Sequence, residues 1–164
     1  MVNPAAVIGP GDHYLISSSM IVEFAKRPVP VVTPGGLCVA DVDAIVAGHL
    51  AAAERGRVGE RYILGGENLT AQQIAAIICQ IAGRPAPRYT LPAWLLGPAG
   101  RIVDAFNRIN PRPPVVSGEQ IRMAGLNVFY DSTKAVRELS HPLLPFRGAV
   151  ERAYVWYRQH GYLA

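Results

Sequence analysis

"VNPAAVIGPGD" (residues 2–12) decides how this chain is read. Residues 2–8 form a short apolar run with little alternation, which predicts a buried strand. Gly9-Pro10-Gly11 then breaks the chain into a turn, and Asp12 follows it. A strand needs neighbours, so the rest of the sequence must supply them or leave an edge open.

Working outward, helices and strands alternate. Residues 17–26 predict a helix with a serine cap, and 29–32 a short strand ending at Pro34-Gly35-Gly36. Residues 41–56 predict a helix capped by Asp41 or Asp43, with Ile45, Val46, His49 and Leu50 on one side. A strand is expected over 61–66. Thr70 and Gln73 have capping-box spacing ahead of a helix over 70–82. A strand over 87–92 precedes a weaker helix interrupted by Gly97-Pro98. Pro111, Pro113 and Pro114 mark a loop. Ser117 and Gln120 suit a second capped helix, "NVFY" (127–130) a strand, and Asp131 or Ser132 a cap for "TKAVREL". The last helix spans 146–160, with Val150, Tyr154 and Tyr157 on one stripe. The alternation argues an α/β chain, or an α+β-like fragment of one.

The 164 residues suit one domain, and an apolar half with few charges excludes a disordered chain. The net charge of +4 comes from 16 basic and 12 acidic residues. The arginines are scattered and form no stripe, which argues against nucleic acid and suits an anionic small molecule. Cys38 and Cys79 lack metal-ligand spacing; free buried thiols are expected, with a single disulfide as the alternative. No apolar run reaches membrane-spanning length and no signal peptide is visible, so no membrane partner and a cytoplasmic location are expected.

Few motifs carry chemistry. Tyr130 and Lys134 match Tyr-x-x-x-Lys, an acid/base pair that works only when both side chains share a helix face. Here Tyr130 ends a strand and the helix begins after it, which predicts a strand-end aromatic and a solvated lysine. Neither Gly9-Pro-Gly11 nor Gly97-Pro-Ala-Gly100 fits a phosphate-binding loop. His13 follows the first turn, where loop residues often meet ligands, and could act as a base. His49 reads as a packed or surface histidine in mid-helix, and Asp41 with Asp43 as caps. No Gly-x-Ser-x-Gly elbow supports a hydrolase.

Read together, "VNPAAVIGPGD", "VADVDAIVAGHLAAAERGRVGERYILGGENLTAQQIAAII", "FYDSTKAVREL" and "AVERAYVWYRQHGYL" resemble the C-terminal half of extended short-chain dehydrogenases. These are NAD-dependent epimerase/dehydratases, and the nearest likeness is to dihydroflavonol-reductase-like or hopanoid-associated sugar-epimerase-like members. The resemblance runs from residue 2 to 163. It implies the C-terminal strands of a Rossmann-like sheet plus a small, mainly helical substrate-binding domain. It also implies that residues 1–164 are a substrate-binding portion whose dinucleotide-binding half is absent. In the family that first half carries the Gly-x-x-Gly-x-x-Gly loop and the working Tyr-x-x-x-Lys pair. The cofactor of the complete enzyme would be NAD or NADP, with weak or no binding to this chain alone.

The resemblance places cofactor contacts at Pro4, Ala5, Ala6 and Val7, and at a serine near Ser18 or Ser19. It places a variable substrate cap at His13, Tyr14 and the region 84–125, where Arg108 and Arg112 could hold an anion. One departure is specific. Nucleotide-sugar members carry Arg-Asp-aromatic before the Val-x-Asp element, and the arginine grips the diphosphate. Gly36-Leu37-Cys38 hold that place here, which favours a smaller or more apolar carbonyl over a nucleotide sugar. Two functions follow as expectations. The chain is the substrate-binding half of a reductase, epimerase or dehydratase acting on a carbonyl or sugar-like molecule, inactive by itself. Alternatively, it is a non-catalytic assembly module that forms a homo-oligomer or dimer, or pairs with a separate N-terminal half, through exposed strand edges and the helices at 41–56 and 146–160.

Overall fold

The computed structural model describes residues 1–109 and 117–163. The opening stretch is extended, in two runs: β1 (Val2–Pro4) and β2 (Ala6–Ile8), joined at Ala5. After the Gly-Pro-Gly turn come α1 (Ser19–Lys26), the two-residue β3 (Val31–Val32) and β4 (Gly36–Asp41). α2 (Val42–Arg55) follows without a loop, because Asp41 both ends the strand and caps the helix. Its Oδ1 accepts the Asp43 N–H at 2.9 Å. β5 (Tyr62–Leu64) and β6 (Glu67–Thr70) flank Gly65-Gly66. α3 (Ala71–Ile81) starts on the Thr70/Gln73 capping box that the spacing predicts. The described chain is completed by β7 (Tyr89–Thr90), α4 (Ala93–Ile109), α5 (Gly118–Met123), β8 (Asn127–Val128), α6 (Thr133–Leu139) and α7 (Phe146–Gln159).

β1 runs parallel to β5, with Val2 opposite Tyr62 and Pro4 opposite Leu64. β2 runs parallel to β4, with Ala6 opposite Val39 and Ile8 opposite Asp41. β4 also pairs with β6, antiparallel, and with β8, parallel. Successive strand side chains point to opposite faces, and β4 shows what this does here. Val39 joins Ile8, Ile21, Ile78 and Tyr157 under α1, α3 and α7. Ala40 joins Ile45, Leu64, Ala135 and Leu139 under α2 and α6. Mostly parallel strands between two helical layers make this the α/β class expected, of the Rossmann-like kind. α4 and α5 pack on each other as a small helical part. Both cysteines are free and buried. Among the described residues, no helix is long and apolar enough to cross a membrane.

Several details depart from the sequence reading. The opening strand is not wholly buried: Asn3 and Pro4 are exposed and only Ile8 is fully enclosed. α7 was expected to leave its apolar stripe open. Instead Phe146, Ala149, Val150, Ala153 and Tyr157 are fully buried, because α1, α3, β2 and β4 cover them. The inner face of α2 is Ala44, Ile45, Gly48 and Ala51, while Val46, His49 and Leu50 face outward. Gly48 decides this: a Cβ there would sit 2.7 Å from His141 Nδ1 and 2.9 Å from Leu64, so only a small residue lets the helix approach. α4 is not interrupted at Gly97-Pro98; Pro98 lies on its exposed side, where water can serve the carbonyl that loses its partner.

The layers are locked at one point. Arg152, from α7, donates through Nη2 to both oxygens of Asp41 at 2.7 and 2.6 Å, and to Asp43 at 3.0 Å. Asp41 is buried, so the pair would leave an uncompensated carboxylate if broken. Arg152→Met is expected to lower unfolding stability by about 1–3 kcal/mol. In urea titrations, Asp41→Asn in the same background should add less than it costs alone.

Candidate functional site

The turn after β2 builds the first half of the site. Gly11 has φ +90°, a conformation glycine adopts without strain. A side chain at Gly9 would run into Val42, so the turn lies flat on the start of α2. Asp12 then gathers the loop: its carboxylate accepts the N–H groups of Ile16 and Ser17 at 3.1 Å and Ser18 at 3.0 Å. Burial pushes the Asp12 carboxyl up, but the Ser18, Ile16 and Ser17 amides outweigh it and hold it below the ordinary value. Ser18 is buried at the start of α1. Its Oγ makes no hydrogen bond of normal geometry, though it lies beside the Asp12 carboxylate and the Tyr157 hydroxyl. Ser19 opens α1 and is partly exposed.

Pro4, Ala5, Ala6 and Val7 lie on and between β1 and β2. The Ala5 N–H already donates to Leu64 O at 3.0 Å, and Pro4 has no N–H to offer. His13 turns toward the C-terminus. It meets Trp156 edge-on at 4.8 Å, and its Nδ1 lies 3.4 Å from the Tyr162 hydroxyl, which donates to His13 O at 3.2 Å. Tyr14 is exposed beside it. Arg108 stands in the last turn of α4, in solvent. Arg112 lies outside the described residues. Of the residues singled out from sequence, Ala6 shares a core face with Leu15 of the Asp12–Ser19 loop, Ala5 and Val7 pack on the opposite face, His13 is tied to the C-terminal aromatics, and Arg108 stands apart.

The second half is a cavity of about 200 Å³ that no sequence motif marked as a whole. Met20 and Phe24 of α1, Leu37 of β4, Ile74 of α3, and Met123 and Leu126 form most of its wall. Among the described residues, Thr33 brings the one side-chain hydroxyl, and no charged residue lines it. The glycine pair ahead of Leu37 makes the cavity possible. Gly35 and Gly36 donate their N–H groups to Ala124 O and Leu126 O at 3.2 Å, and a Cβ at Gly35 would run into both carbonyls. The chain after α5 can thus lie directly on the start of β4. The cavity is smaller than the roughly 300–1,000 Å³ of an ordinary ligand pocket, so it suits a small or slender apolar body. Leu37 was legible as an apolar replacement for a charged position. Cys38 is buried and its Sγ accepts the Gly66 N–H at 3.5 Å, away from the cavity lining.

The remaining motifs are structural. Lys134 binds Glu60 at 2.5 Å and sits 4.9 Å from the Tyr62 ring centre, so it does not serve Tyr130. His49 Nδ1 contacts Ile45 O one turn back, at 2.9 Å. Asp41 and Asp43 act at the helix start, with Arg152 as the partner that sequence reasoning missed. Among the described residues, no group of three or more His, Cys, Asp or Glu could hold a metal.

Asp12 makes the loop's order depend on pH. Its folded pKa lies below the unfolded value, near 4, so its contribution is present above that value and fades as pH falls through the folded pKa. Asp12→Ala should cost about 0.5–2 kcal/mol at neutral pH and flatten the loss of stability between about pH 5 and pH 2. Urea midpoints for both proteins across that range check this.

No family model matches the chain. It is 36% identical to a dihydroflavonol 4-reductase-like protein of Synechocystis, over 99% of this chain and 49% of that one. It is 30% identical to sterol demethylase protein B of Methylococcus capsulatus, over 98% of this chain and 50% of that one. The crystal structure of gox2253 superposes with a TM-score of 0.82 at 35% identity, covering 99% of this chain and 50% of that one. A nucleoside-diphosphate-sugar epimerase of Pseudomonas aeruginosa superposes at 0.79 with 27% identity, over 99% and 49%. A UDP-glucuronic acid 4-epimerase of Bacillus cereus, solved with NAD, shares the fold at 16% identity and a TM-score of 0.63, over 96% and 44%. The chain thus spans about half the length of the proteins it matches.

Proposed function

Given that the chain carries the C-terminal half of an extended short-chain dehydrogenase/reductase, we infer that it forms the substrate-binding side of an NAD(P)-dependent reductase. The substrate is a small, apolar carbonyl compound. One observation carries this reading: a cavity with no charged side chain among the described residues, with Gly36 and Leu37 in its wall, in the stretch where nucleotide-sugar members carry Arg-Asp-aromatic and the arginine grips the diphosphate. A diphosphate requires charge-assisted donors, and an apolar wall would leave its charges unpaired. An aromatic or alicyclic ketone meets no such cost, and the sterol-named and flavonol-named relatives fit that chemistry.

The cofactor fits this chain at one end only. Pro4–Val7 and Ser19 would border the nicotinamide, and Ser18 Oγ, buried without a well-formed hydrogen bond, is the kind of polar atom a ligand group would satisfy. The sequence has no Gly-x-x-Gly-x-x-Gly loop for the phosphates and no Tyr-x-x-x-Lys pair on one helix face. When bound, the dinucleotide supplies the hydride. These residues bind and orient: the cavity holds the apolar body and keeps water off it, and the Asp12 loop sets the Ser18–Ser19 corner. His13 and Tyr14 would border the substrate from the same loop. By itself the 164-residue chain binds dinucleotide weakly and catalyses nothing. Two buried free thiols suit a reducing cytoplasm.

A second reading rests on α2, whose outer face exposes Val46 and Leu50. That face would pack on the complementary half of the fold, or on another copy, and the chain would act by assembly. Light scattering showing a stable monomer that takes up no apolar dye would count against it.

The reductase reading is tested with ligands. In calorimetry, 4-chromanone should bind the chain and UDP-glucose should not. Leu37→Arg should abolish chromanone binding while the protein keeps its fold. NADH fluorescence should change little on adding the chain alone. Micromolar NADH binding, or UDP-glucose binding in place of chromanone, would sink the proposal.

A further inference from the structure

α4 has two sides with different fates. Its inner side is consumed by α5. Gly100 and Gly118 bring the two backbones together, and a Cβ at Gly100 would stand 2.7 Å from Gly118 O. Asp104 accepts the Gly118 N–H at 2.8 Å and binds Arg122 at 3.1 Å. Its outer side is covered by nothing in the described structure. Trp94, Ile102, Phe106 and Ile109 are 73%, 70%, 64% and 84% exposed. With Pro98 they step by four, four, four and three residues, which places them on one stripe of a helix about 25 Å long.

Charge says what this stripe meets. Arg101 and Arg108 are exposed on α4, and the one acid on the helix, Asp104, is engaged by Gly118 and Arg122. α5 adds Glu119. An amphipathic helix with an aromatic and aliphatic stripe, arginines beside it and little free acid matches an anionic lipid surface. Two copies of α4 paired antiparallel about their midpoint would instead set Arg101 against Arg101, a like-charge seam. We propose that the outer face of α4 seats the protein on anionic lipid, with Trp94, Ile102, Phe106 and Ile109 in the headgroup–acyl boundary and Arg101 and Arg108 on headgroup phosphates. The helix lies in the surface and does not cross it. This goes beyond the reductase reading and does not depend on it. It also gives Arg108 an anion of a different kind from a soluble substrate.

The test is co-sedimentation of the chain with phosphatidylcholine vesicles, with and without about one-third phosphatidylglycerol. Trp94 emission is read in parallel, with Trp94→Phe to assign the signal. The chain should bind the anionic vesicles at least about tenfold more than the neutral ones, with a blue shift that Trp94→Phe removes, and should be released by high salt. Arg101→Gln should weaken binding about fivefold, and the pair with Arg108→Gln further. Ile102→Glu with Phe106→Glu should abolish it; both sites are exposed, and unchanged circular dichroism shows that the fold survives. Equal binding to both vesicle types, no binding to either, or wild-type binding by the glutamate variant would overturn the proposal. So would a dimer in solution that the glutamate variant dissolves in the absence of lipid, which would assign the face to a second copy.

Discussion

A carboxylate buried at the end of a strand must be matched, and the match at Asp41 organises the molecule. Asp41 closes β4, starts α2 through the Asp43 amide, and binds Arg152 of α7. One side chain thus connects the sheet, the helix on one face and the helix on the other. β4 is the strand whose neighbours are β2, β6 and β8. Its far end carries Gly36 and Leu37, the floor of the apolar cavity. Locking one end of β4 therefore fixes the position of the other, and the cavity inherits its geometry from an ion pair it does not contain.

Helix starts were the most legible part of the sequence, because their signals are local. The capping boxes at Thr70/Gln73 and Ser117/Gln120 and the cap at Asp41 all form as the spacing predicts. Strands were less so. β6 is "ENLT", polar and mostly exposed, and exists only because β4 offers it an antiparallel edge. Which side of α2 faces inward was not legible for a similar reason. Small residues, not the large Val46 and Leu50, let it approach Leu64 and His141. Proline broke α4 in the sequence reading but not in the fold, because its missing donor falls on a solvent-facing side.

The site divides the same way. The Asp12 loop and the opening strand could be found, since they are contiguous. The cavity could not, because it is assembled from α1, β4, α3 and the segment after α5, each contributing one or two apolar residues that look like ordinary core. Only Gly36 and Leu37 stood out, through the charges that stretch lacks. Arg152 was invisible for want of any sequence proximity to Asp41, and the aromatic cluster of His13, Trp156 and Tyr162 for the same reason.

That cluster and α7 have a consequence for how the chain reaches this state. The largest buried plug of the main core, Phe146, Val150 and Tyr157, belongs to the last helix. Tyr157 and Tyr162 then reach back to the carbonyls of Asp12 and His13, across 145 and 149 residues of sequence. Contacts this distant slow folding, since the intervening chain must be ordered before they reward it. Until α7 is in place, the opening strand and α1 keep an apolar side uncovered. The strand at one end of the described chain is therefore secured by the helix at the other, and the most distant contacts close the fold.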